Sequence, residues 1–112
     1  MTHYLLPDAC KTMTEVRTGV DATDRELMAL IDRRFGYMRT AARIKPDRGT
    51  VRDEARKAQV IANARGDARA RGLPAEELAA IWDRLVEVSI AYELAEWDRL
   101  SAEAVPPSAR AR

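Results

Sequence analysis

Residues 13–45 read MTEVRTGVDATDRELMALIDRRFGYMRTAARIK. Met13, Val16, Val20, Thr23, Leu27, Leu30, Arg34, Tyr37, Ala41 and Ile44 follow one another in alternating steps of three and four. That is the spacing of a heptad seam, and it runs without a break. It predicts one helix of roughly 30 residues, about 45 Å long. Met28, Ile31, Phe35, Met38 and Ala42 widen the apolar stripe beyond the seam, so the helix needs more than one neighbour. Pro46 and Gly49 then stop it.

Beyond this stretch, Thr50-Val51-Arg52-Asp53 has the form of a capping box, which predicts a second helix starting near Val51. Val60, Ile61, Ala64 and Ala68 give it a thin apolar face, Gly66 weakens it, and Gly72 suits a left-handed cap after Arg71. Pro74 fits the first turn of a third helix. Leu78, Ile81, Trp82, Leu85, Val88, Tyr92, Ala95 and Leu100 carry it to about Ser101. Residues 1–12 are an N-terminal extension, 13–101 the helical domain, and 102–112 a Pro-broken polar tail expected to be loosely held. No stretch alternates as a strand would, so the expected fold is all-α, three helices with a very long first one. Two shorter helices cannot cover the first, and a chain of 112 residues buries only about two-thirds of its surface. An intertwined homodimer is the physical expectation.

Composition narrows the chemistry. Apolar residues are 46%, charged residues 33% and aromatics 5%, the balance of a folded helical chain rather than a disordered one. A net charge of +1 gives no drive toward nucleic acid or an anionic membrane. Arginine supplies sixteen of the nineteen cations, with lysine only at 11, 45 and 57, which suits bidentate carboxylate recognition or reflects codon usage. One cysteine, Cys10, and one histidine, His3, cannot assemble an internal disulfide, a Cys/His zinc site or a His-based triad. There is no glycine-rich phosphate loop. MTHYLLPDACKTM lacks a basic n-region and a long apolar core, and nowhere do about 18 apolar residues run together. A cytoplasmic protein without membrane, metal or cofactor is expected.

Several residues break the helical pattern. Arg34 stands where the seam calls for an aliphatic side chain, and a buried guanidinium needs an anion, from a ligand or from Asp24 or Asp32. Lys45 lies three turns further along nearly the same face; alone, it would also serve as a favourable cation at a helix C-terminus. Arg17, about 25 Å from Arg34 along one helix, cannot join it on one small molecule within a chain, although a partner helix could bring it in. It could equally pair with Asp21 on the surface. Ser89 and Glu93 are one turn apart among Leu85, Val86, Ile90 and Leu94, so the carboxyl is partly buried or at the stripe's edge. Arg52, Asp53, Arg56 and Lys57 crowd the second helix's first turns, where cations oppose the dipole and imply an anion nearby or a solvated face. Trp82 and Trp97 read as core or interface aromatics.

Taken together, EVRTGVDATDRELMALIDRRFGYMRTAARIK, VRDEARKAQVI and GLPAEELAAIWDRLVEVSIAYELAEW resemble the all-helical chorismate mutases over about 85 of the 112 residues. The features are distributed. They are an early Arg, V-D-x-x-D-x-x-L-x-x-L, R-R seventeen residues after that Arg, a Lys at the helix end, R-D-x-x-R, and G-L before the last helix. Pro7, Cys10, RRFGYMRTAARIK and Trp97 four residues after Glu93 are most similar to the isochorismate-pyruvate lyase branch, whose members often retain mutase activity.

The resemblance implies that Arg34, Lys45 and Arg56 bind a dianionic substrate's carboxylates and ether oxygen, with Arg17 supplied in trans by the other subunit. It places Asp53 and Ser89 on the ring side and Glu93 at the ether oxygen, making Lys45 and Glu93 the catalytic pair. Two positions depart from many bacterial mutases: Lys57 replaces a Glu that binds the ring hydroxyl, and Glu93 replaces a Gln, as in some other mutases. The implied activity is rearrangement of chorismate to prephenate. It needs no nucleophile, metal or proton shuttle, only a compact conformer and donors for the charge that grows on the ether oxygen. Lyase action on isochorismate, giving salicylate and pyruvate, is the alternative at the same site. A non-catalytic helical dimer that binds a partner or regulatory ligand is the alternative of another class.

Overall fold

The computed structural model describes residues 3–104. Three α-helices make up most of it: α1 (Met13–Ile44), α2 (Glu54–Ala70) and α3 (Ala75–Ala104), with single 3-10 turns at Pro7–Ala9 and Arg48–Thr50. There is no strand among the described residues, and no helix there is long and apolar enough to cross a membrane. The long first helix spans 32 residues, from Met13 as the seam predicts. The chain divides into two units between Gly36 and Tyr37, within α1.

In the first unit, α1 starts with a reciprocal cap. The Glu15 amide donates to the Thr12 hydroxyl at 3.1 Å, and Glu15 Oε1 accepts from the Thr12 and Lys11 amides at 3.0 and 2.9 Å. These donors hold the Glu15 carboxyl below its ordinary range, the Lys11 amide most strongly. Tyr4 donates to Glu26 at 2.6 Å, tying the N-terminal segment to the helix. The segment passes beside Gly19, where a β-carbon would make an ordinary contact of 3.5 Å with the Leu5 carbonyl oxygen. A mainly apolar cavity of about 450 Å³ remains beside the segment, lined by Leu5, Leu6, Pro7, Val16 and Val20 among others.

In the second unit, α2 packs along α3. Val51, Val86 and Ile90 form the buried cluster, with Val60, Leu94 and Trp97 against it. The expected start of α2 shifts by three residues. Thr50 lies in the 3-10 turn and donates to the Asp47 carbonyl at 2.7 Å, while Asp53 caps α2 by accepting the Arg56 amide at 3.0 Å. Asp47 caps the 3-10 turn through the Gly49 amide, so two short caps follow one another where one box was expected. Gly72, at φ 70°, closes α2 as predicted. Its amide reaches the Arg69 carbonyl at 3.1 Å and the Leu73 amide reaches Ala68 at 2.9 Å, the paired bonds of a left-handed cap. The third helix continues past Ser101 to Ala104, supported by an Arg99–Glu103 pair at 2.6 Å. Residues 102–104 of the predicted tail are therefore helical, and residues 105–112 of it lie outside the described ones.

The seam of α1 is not buried within one chain. Met13, Val20, Leu27, Leu30, Tyr37 and Ile44 are all exposed, as are Met28 and Ile81.

Candidate active site

Lys45 follows the last residue of α1, and its amide still closes on the Ala41 carbonyl at 2.9 Å. Its ammonium meets Glu93 Oε2 at 2.7 Å and lies 3.4 Å from the Val51 carbonyl oxygen. Glu93 is 4% exposed, so this is a charge drawn in among Val86, Ile90 and their neighbours and matched by a cation. One turn earlier Ser89, 3% exposed, donates to the Leu85 carbonyl at 2.7 Å. The sequence places Ser89 and Glu93 at the edge or the inside of the stripe; they are inside. Lys45 and Glu93, 48 residues apart, are brought together directly.

Asp53 and Arg56 meet through the cap of α2, backbone to side chain. The Arg56 guanidinium, exposed, donates to Gln59 at 2.8 Å. The anion expected beside the crowded cations is Glu87, and its partners are Arg52 and Lys57. Arg52 grips both Glu87 oxygens at 2.8 and 3.1 Å and also reaches Glu54. Lys57 lies 2.8 Å from Glu87 and 3.1 Å from Asp83. These contacts pull the Glu87 carboxyl down to about 2, Arg52 contributing most and Lys57 next. They raise Arg52, chiefly through Glu87 and then Glu54, and Lys57, chiefly through Glu87 and then Asp83. The Lys57 charge is therefore balanced within the chain, on the α3 positions 83 and 87.

Arg17 and Arg34 belong to the first unit, where Arg17 is exposed and Arg34 half-buried.

One contact beside the pair has no counterpart in the sequence reading. The Trp97 indole N–H donates to the Lys45 carbonyl at 3.0 Å. The signal was present: Trp97 stands one turn after Glu93 on α3, and a half-buried indole needs an acceptor. Next to it, Asp98 pairs with Arg48 through two bonds of 2.8 and 3.2 Å.

Within the second unit the site thus joins a buried carboxylate on α3 to a cation at the end of α1. An isochorismate pyruvate lyase of Pseudomonas aeruginosa is 22% identical to this chain over 91 residues, covering 81% of the chain and 90% of that relative. The pattern of chorismate mutase type II matches residues 16–94, from the first turns of α1 through Glu93 and Leu94 of α3. That span holds Arg17, Arg34, Lys45, Asp53, Arg56, Lys57, Ser89 and Glu93, and the chain belongs to the chorismate mutase type II family.

Proposed function

We propose that the protein is a chorismate mutase that converts chorismate to prephenate as a cytoplasmic homodimer. The observation that carries this is the Lys45–Glu93 pair at 2.7 Å, built on the buried side of α3. In the rearrangement a carbon–oxygen bond of the enol ether breaks as a carbon–carbon bond forms, and negative charge grows on the ether oxygen. A lysine ammonium, together with a position-93 carboxyl that carries a proton and donates it in a hydrogen bond, would lower that barrier by preorganised electrostatics. Arg34 and Arg56 would clamp the carboxylates, Arg17 would come from the second copy, and Asp53 and Ser89 would line the ring side. Lys57, where many bacterial mutases carry Glu, is engaged by Asp83 and Glu87; we therefore expect weaker ground-state binding of the ring hydroxyl rather than a slower chemical step.

A second reading at the same site is isochorismate-pyruvate lyase, favoured by the similarity to the P. aeruginosa lyase. Incubating the purified protein separately with chorismate and with isochorismate, and identifying the products, tests both. Prephenate from chorismate supports the first. Salicylate and pyruvate from isochorismate, without prephenate from chorismate, would replace it with the second. No product from either would leave a binding protein.

A further inference from the structure

Positions 93 and 97 lie one turn apart on the same face of α3, and both grip Lys45. Glu93 holds the ammonium at 2.7 Å, and the Trp97 indole N–H holds the backbone carbonyl at 3.0 Å. A carbonyl at a helix end has no partner inside the helix, so an external donor fixes where that end sits. Lysine reaches its ammonium through a flexible four-carbon stem, so the ammonium's position follows from where its backbone is held. The longer contact to the Val51 carbonyl, 3.4 Å, is a weaker restraint. The indole's other role is packing, since its ring lies against the cluster of Val51, Val86 and Ile90. The two roles are chemically separable: the N–H can be removed while the ring body stays.

We propose that Trp97 is a positioning residue for Lys45, its indole N–H setting the backbone register from which the ammonium reaches Glu93 and the reacting ether oxygen. The catalytic half rests on the function proposed above; the positioning half does not. A donor displaced by a fraction of an ångström loses its alignment with the charge it stabilises, and small misplacements of this kind are costly in rate.

Two variants separate the N–H from the ring. Trp97→Phe keeps an aromatic side chain, and β-(3-benzothienyl)alanine introduced at position 97 alone keeps the two-ring shape with sulfur in place of N–H. The second holds the test if the first fails to fold. The chain has three lysines, at 11, 45 and 57. Labelling lysine side chains with carbon-13 at Cε therefore gives three signals, and Lys45→Arg assigns one of them. In both variants we expect the Lys45 signal to move toward that of a free lysine side chain while those of Lys11 and Lys57 stay. We also expect kcat for the substrate that the wild-type protein converts to fall about tenfold or more, with KM changed by less than about threefold. An unmoved Lys45 signal in a folded variant overturns the proposal. So does a moved signal with kcat unchanged, which would make the bond purely structural. If the wild-type protein converts neither chorismate nor isochorismate, the proposed function fails by itself, and the Lys45 signal still decides whether the indole holds the lysine.

Discussion

In the Lys45–Glu93 pair the carboxylate side chain is 5% exposed and the ammonium 29%. The burial is lopsided, so the two partners are not equivalent under substitution. Under the proposed chemistry an ionised carboxylate would repel the charge growing on the ether oxygen, whereas a glutamine donates a hydrogen bond at any pH. Glu93→Gln is therefore expected to keep or raise chorismate turnover. Glu93→Ala, which offers no donor, should fall about 10²- to 10³-fold below Glu93→Gln, the usual effect of lacking one such donor. Initial rates check this, and a folded Glu93→Gln variant that is inactive would mean that position 93 is not the ether-oxygen donor. Lys45 and Glu93 were legible in the sequence as candidates, a cation three turns beyond Arg34 on nearly the same face and an acid among apolar residues of α3. Their meeting was implied by the family resemblance rather than by spacing. Glu87 was not legible, because its contact with Arg52 spans 35 residues and depends on how α2 and α3 are rotated against each other.

Helix identities follow from periodicity, helix starts from competition among short polar side chains. The α1 start was read from its apolar seam, although Thr12-x-x-Glu15 makes the reciprocal cap that signals it. The similar pattern at Thr50-x-x-Asp53 is not a box, because Asp47 supplies a nearer acceptor and Asp53 works alone three residues later. Beside the Val51–Val86–Ile90 packing, an ionic tie joins the start of α2 to α3: Arg52 and Lys57 converge on Glu87. In the folded protein the Glu87 carboxyl is held at about 2, below its ordinary 4.5, mainly by Arg52. A depressed folded value means that the contribution to stability is complete above the unfolded value and is lost as pH falls through the folded one. Glu87→Gln should therefore lower the melting temperature near about pH 6, and the gap from wild type should close progressively between about pH 4.5 and about pH 2. Thermal melts at a series of pH values check it. A gap that stays constant over that range would mean that Glu87 acts by packing rather than by charge.

At the scale of the whole molecule, a single chain leaves Met13, Val20, Leu27, Leu30, Tyr37 and Ile44 exposed along one helical seam. A contiguous exposed apolar stripe of that length marks an interaction surface, and in the proposed homodimer a second copy with the same seam would be its self-complementary cover. The proposed composite site ties this assembly to activity, because Arg17 would serve the substrate held by the other copy's Arg34. The two arginines can then be separated genetically. Arg17→Ala and Arg34→Ala should each be inactive. When they are mixed and allowed to exchange subunits, each mixed dimer has one site with both arginines intact and one with neither. With random exchange about half of the dimers are mixed, so activity should recover to about a quarter of the wild-type value per subunit. Light scattering on the wild type and mass analysis of differently tagged copies establish the dimer and the exchange. If exchange is proven and activity stays absent, both arginines act within one chain's site; if the wild type is a fully active monomer, the exposed seam has another purpose.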